Sequence, residues 1–181
     1  MANGDSNTVF FDVETQRLID EVGGWRNIAR LGLAAAVTYS TSDGLFRHYT
    51  EDQVADLVAE LQAADLVVGF NVLRFDYEVL RPYTNVDLQQ LPTVDMLAHI
   101  YRRLGFRVSL DSLAGATLGT NKSADGIQSV RWYRQGLIDE VLAYCEQDVA
   151  VTRDLYQFGQ QHKYLQYRDK YWRLQQVAVS W

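Results

Sequence analysis

The chain has 181 residues, 48% hydrophobic and 22% charged, which suits one domain with a substantial core and no need of covalent staples. Its net charge of −6 argues against a module that coats long duplex by charge alone, while an enzyme acting on a nucleic-acid end stays open because bound cations would supply local positive charge. The one cysteine, Cys145, excludes an intrachain disulfide, and neither a secretory leader nor a run of about 18 apolar residues is present, so a cytoplasmic protein with no membrane partner is expected.

Thr8, Val9, Phe10 and Phe11 are β-branched or aromatic, as strands favour. Asp12 and Glu14 follow two residues apart, and a strand turns such residues to one face, with Phe11 and Val13 packing behind them. Two adjacent carboxylates either end a strand in solvent or share a cation, and a hard divalent ion is the natural partner for oxygen ligands. Residues 16–30 are polar and carry Gly23-Gly24-Trp25, a loop with room for a helical turn. Residues 31–39 make a second strand, Thr41-Ser42-Asp43-Gly44 a turn, and residues 45–49 a third strand that completes an antiparallel meander.

Thr50 and Gln53 form a capping box ahead of Val54, Leu57, Val58 and Leu61 at helical spacing. Residues 65–70 form a short apolar strand ending at Gly69, parallel and buried. A helix over residues 74–80 follows, then a strand within residues 88–94, and Asp95 caps a helix to about Leu104. Residues 110–118 are helical, residues 121–129 a mobile loop, and residues 137–158 a long helix. Residues 164–181 alternate bulky and polar side chains around Asp169-Lys170, a β-hairpin. A meander followed by alternating strand and helix predicts a mixed sheet with helices on both faces, the first strand at its centre.

Two further stretches carry chemistry. Asn71 to Asp76 follows the carboxyl end of a buried strand, where sites gather in open α/β sheets. By themselves, Asn71 is an ordinary turn residue and Asp76 answers a helix dipole. Tyr144 and Asp148 are i and i+4 on the long helix, one above the other beside an apolar stripe. A half-buried core tyrosine and a surface acid are the plain alternatives.

Taken together, the three stretches resemble the DEDD 3′–5′ exonuclease superfamily, of ribonuclease H-like fold. Phe11-Asp12-Val13-Glu14-Thr15 is similar to its first motif. Asn71-Val72-Leu73-Arg74-Phe75-Asp76 resembles its second, in the form found in family B polymerase proofreading domains. Tyr144 to Asp148 resembles its third in the tyrosine subclass, DEDDy; the histidine subclass would need His where Ala143 stands. The resemblance spans residues 8–158 and leaves the closing hairpin outside. It implies an α/β, ribonuclease H-like mixed sheet with its first three strands antiparallel. It also implies two divalent metal ions, Mg2+ or Mn2+, held by Asp12, Glu14, Asp76 and Asp148, with Tyr144 orienting the attacking water. Asn71, Phe75, Thr15 and Lys122 are candidates to hold the terminal nucleotide, with Phe75 read as a core residue first; Asp95 is read as a cap first and an outer support of the site second.

The implied activity is hydrolysis of a single-stranded 3′ end of DNA or RNA to nucleoside 5′-monophosphates, alone or within a larger repair or helicase assembly. The alternative is a ribonuclease H-like module that binds nucleic acid or a partner without cutting. Gly115 to Ser123 lacks the spacing of a phosphate loop. Arg102, Arg103, Arg107, Arg131 and Arg134 read first as solvated charges and second as a substrate groove, with Trp132 or Tyr133 to stack a base. His48, His99 and His162 have no metal-ligand spacing, and nothing near Cys145 marks it as a nucleophile.

Overall fold

A computed structural model describes residues 6–120 and 126–181. Among the described residues seven strands form two sheets: β1 (Thr8–Thr15), β2 (Leu33–Ser40), β3 (Leu45–Tyr49), β4 (Leu66–Gly69) and β5 (Thr93–Asp95) in one, and β6 (Tyr164–Arg168) with β7 (Leu174–Ala178) in the other. The large sheet has the order β3-β2-β1-β4-β5. Its first three strands pair antiparallel, and β4 and β5 run parallel to β1. The first strand is therefore central, as a meander followed by alternating strand and helix predicts.

Helices cover both faces: α1 (Val54–Ala63), α2 (Asp76–Leu80), α3 (Met96–Leu104), α4 (Leu110–Thr117), α5 (Gly126–Arg134) and α6 (Ile138–His162). The period-two rule divides β1 cleanly. Val9, Phe11 and Val13 pack with Leu57, Leu61 and Leu80 of α1 and α2. Phe10 packs on the other side with Met96, Ile100, Cys145, Val149 and Leu155 of α3 and α6. Asp12 and Glu14 share Phe10's face and so look toward α6. That helix buries Val141, Cys145, Val149, Thr152 and Tyr156, an i, i+4, i+8 stripe laid over the sheet. It ends at Lys163, whose left-handed backbone donates to the Gly159 carbonyl.

Several elements differ from their sequence expectation. Of the loop expected over residues 121–129, residues 126–129 instead open α5, because Ser129 and Val130 turn inward against the sheet and α6; packing overrides their small, polar composition, and residues 121–125 lie outside the described residues. Of residues 88–94 only Thr93 and Val94 are strand, the start of β5. Leu88–Gln90 is a single 3-10 turn whose Asp87 cap accepts from Gln89 N, and Pro92 has no N–H to give a ladder. The helix expected over 74–80 starts at Asp76, since Asn71 adopts a positive φ of 73° and the chain makes a turn first. The long helix runs on to His162 instead of stopping near Phe158. Residues 16–30 hold two 3-10 turns, Ile19–Val22 and Trp25–Arg30. The Thr50 cap is present, its N–H donating to Gln53 Oε1 at 3.0 Å. Among the described residues no helix is long and apolar enough to cross a membrane.

Gly69, where β4 ends, lets that strand approach β1. A Cβ there would collide with the Val72 side chain and stand 3.0 Å from the Phe11 carbonyl oxygen. Gly69→Ala is therefore expected to cost about 1–3 kcal/mol by overpacking, seen in thermal melting as a transition several degrees lower.

Candidate active site

Three acids from distant parts of the chain meet at β1. Single carboxylate oxygens of Asp12, Glu14 and Asp148 all lie within 4.8 Å of one another. Asp12 and Glu14 come from alternate positions of β1, paired opposite Val37 and Ala35 of β2. Asp148 comes from α6, three residues after Cys145 on the turn that crosses β1; there the Cys145 thiol donates to the Asp12 carbonyl at 3.3 Å. Asp76 stands outside this 4.8 Å group. It is buried at the first turn of α2, and its Oδ1 accepts from Val13 N at 3.1 Å, which fixes it beside Asp12.

Burial dominates the electrostatics. It raises the Asp12 carboxyl well above the usual carboxylate range, and Asp76, Asp148 and Glu14 add to the rise in that order. Glu14 is pushed up to about 8, chiefly by burial; Ser129 opposes the shift, and Asp148 and Asp76 add to it. Asp76 is likewise pushed up to about 8 by burial, against its own backbone and Val13 hydrogen bonds. Converging carboxylates in a partly buried site repel one another, and a cation is what allows all of them to ionise. Oxygen-only donors at this spacing suit a hard divalent ion, so the residues fit the metal the sequence implied.

Tyr144 lies one turn before Asp148, and its hydroxyl donates to that carboxylate. Burial first, then Asp148, Glu14 and Asp12, raise its pKa well above that of ordinary tyrosine. The phenol is thus a donor at neutral pH. Trp132 of α5 packs edge-on against the Tyr144 ring at 6.3 Å. Trp132 and Tyr133 also pack on Ala34, Ala35 and Val141, so they support the site's wall instead of offering open stacking surfaces. Arg134 pairs with Glu21.

The second stretch is held by Asp95. Its carboxylate accepts from Asn71 N at 3.0 Å, Leu73 N at 3.1 Å and Ala98 N at 3.0 Å. It thereby caps α3 and ties the Asn71–Asp76 turn to the end of β5. Asp95→Ala is expected to cost about 2–3 kcal/mol, combining a lost cap with two stranded amides. Asp95→Asn, which keeps one acceptor oxygen, should fall between it and the parent in chemical denaturation.

Asn71 presents its Oδ1 to Arg107 at 3.0 Å. Phe75 is half-buried and meets Trp25 edge-on at 6.2 Å. The buried Thr15 hydroxyl donates to the Arg17 carbonyl at 3.0 Å. Lys122 lies outside the described residues. His48 pairs with Glu146 at the far edge of α6.

Two neighbours of the site escaped the sequence reading. Ser129 Oγ is sealed from solvent beside Glu14 without closing a full hydrogen bond; it sits in the stretch read as a loop. Cys145 touches both the carbonyl and, at 3.7 Å, the carboxylate of Asp12. Its place on the stripe of Val141 and Val149 was the available signal.

No curated protein matches the chain at a significant level. Among solved structures, the family B DNA polymerase from the hyperthermophilic archaeon Pyrobaculum calidifontis is similar over 86% of this chain, with a TM-score of 0.64 and 18% sequence identity. The chain spans 24% of that polymerase, and the likeness is one of fold. A family model described as RNase_H superfamily (RNase_H_2) matches residues 9–159, from β1 through nearly all of α6. With its central β1, its mixed sheet and its acidic cluster, the chain belongs to the RNase H superfamily.

Proposed function

We propose that the protein is a two-metal 3′–5′ exonuclease that hydrolyses single-stranded ends of DNA or RNA to nucleoside 5′-monophosphates. The observation that carries the reading is the convergence of Asp12, Glu14 and Asp148 within 4.8 Å, with Asp76 fixed against Val13. In this reading Asp12, Glu14 and Asp148 would hold one ion, and Asp76 with Asp12 would hold the second. Divalent ions, Mg2+ or Mn2+, would supply Lewis acidity there and lower the pKa of a water to near neutrality. The raised pKa of Tyr144 keeps its proton on the phenol oxygen, so the hydroxyl orients the attacking water by donation and does not serve as base. Asn71, on a turn latched by Asp95, and Phe75 bound the place of the terminal nucleotide. Thr15 and Lys122 complete the proposed substrate contacts. A larger repair or helicase assembly is the setting in which such an end would be presented.

The test is digestion of end-labelled DNA and RNA oligonucleotides with and without Mg2+ or Mn2+. Stepwise, metal-dependent shortening from the 3′ end is expected, with circular single strands left intact. Folded protein that shortens neither polymer with either metal would overturn the reading in favour of a binding module.

A further inference from the structure

The closing hairpin lies outside the site, yet its surface is unlike the rest of an acidic chain. Between β6 and β7, Tyr171 is 64% exposed, and Phe106, after α3, is 48% exposed. Lys170 Nζ and Arg173 Cζ each lie 5.0 Å from the centre of the Tyr171 ring. With Arg168 and Tyr167 they line a cleft of about 620 Å³. Phe106 meets Tyr167 edge-on at 5.9 Å, which ties the loop to the hairpin. Arg107, next in the chain, lines two smaller cavities of about 290 Å³ each; both also carry Arg74, and one includes Asn71.

These three cavities thus carry five cations, Arg74, Arg107, Arg168, Lys170 and Arg173, in a chain of net charge −6. They carry two acids, Asp95 and Asp169. Both are engaged by backbone: Asp95 by the three amides named above, and Asp169 by Tyr171 N and Arg173 N as well as Arg173 Nε. Exposed aromatic rings set among cations in a groove match a polymer with a charged backbone and stackable bases.

We propose that the hairpin and Phe106 hold single-stranded nucleic acid upstream of the reacting end, along a track that passes Arg107 and Arg74 to reach Asn71. This rests on the nuclease reading above. The hairpin is then a length-sensing grip. The acidic centre favours the terminal linkage, and the basic cleft adds binding upstream of it.

The test uses fluorescence anisotropy of the full chain in EDTA, with labelled oligothymidylate of about 20 and about 3 nucleotides. The parent should prefer the long probe. The Lys170→Glu/Tyr171→Ser variant should weaken long-probe binding about tenfold and leave the short probe alone. The salt slope should fall by about 0.7 for each phosphate that is no longer neutralised. Phe106→Ser and the charge-only Lys170→Gln, on separate positions, give the same reading if the double variant melts early. Hydrolysis of the p-nitrophenyl ester of thymidine 5′-monophosphate with Mn2+ should be unchanged in every variant. Long-probe affinity unchanged in all variants overturns the proposal, as does loss of a concentration-dependent dimer without loss of oligonucleotide affinity. A parent that cleaves neither ester nor oligonucleotide sinks the nuclease reading instead, while the anisotropy still reports on the hairpin.

Discussion

Asp12→Asn is expected to lower oligonucleotide turnover by about 10³-fold, the several kcal/mol expected of a metal-ligating group, and at the same time to raise the melting temperature of the metal-free protein. The two effects have one cause. Asp12 is surrounded by Asp76, Asp148 and Glu14, and burial with their repulsion holds its carboxyl well above the usual range. An amide of the same shape carries no charge to repel, and its oxygen can still accept from the Cys145 thiol, now 3.7 Å from Oδ2. Stability therefore rises while a charged oxygen ligand is lost. Turnover in Mn2+ and a thermal melt in EDTA, measured on the same preparation, check both halves. Activity within tenfold of the parent would remove Asp12 from the site, and a lower EDTA melting point would show that its neighbours do not repel it.

The metal-free protein should lose stability as the pH rises from about 5 to about 8.5, and divalent ions should restore it. Glu14 and Asp76 are both pushed up to about 8 in the fold, from ordinary values of 4.5 and 3.8. Between those limits the folded chain holds protons that the unfolded chain has released. Stability from these groups is thus complete below about pH 4 and is lost as the pH passes about 8. Two such groups should lower the melting temperature by roughly 10 °C or more across this range for a domain this size. Mn2+ at about 100 times its dissociation constant should return about 2.7 kcal/mol. Its effect should be larger at pH 8 than at pH 5.5, because protons compete for the same oxygens. Scanning fluorimetry across this range, with EDTA or Mn2+, reads both trends. The acids Glu21, Asp43 and Asp169, whose pKa values are lowered by hydrogen bonds to Arg and backbone N–H groups, act below this window. A melting point flat from pH 5 to 8.5 and indifferent to Mn2+ would leave no charge repulsion for a cation to relieve.

Local rules made much of this architecture legible. Alternation on β1 placed Asp12 and Glu14 on one face, the i, i+4 spacing placed Tyr144 above Asp148, and Asp95 read correctly as a cap. These arrangements depend only on the period of the element and on nearby backbone N–H groups. Where tertiary contacts decide, the sequence misled or was silent. Composition makes residues 126–129 a loop, yet the inward-facing Ser129 and Val130 stabilise a helix there. The Asn71–Phe75 turn depends on Asp95, more than twenty positions away, and nothing local announces that latch. Sequence by itself determined which side chains carry charge and which way each points along its own strand or helix. Only the tertiary structure decided that α6 crosses β1 at Cys145, because that crossing is set by how a 25-residue helix packs its buried stripe on the sheet. The same packing sets the distance from Asp148 to Asp12, and with it the charge that a cation must offset.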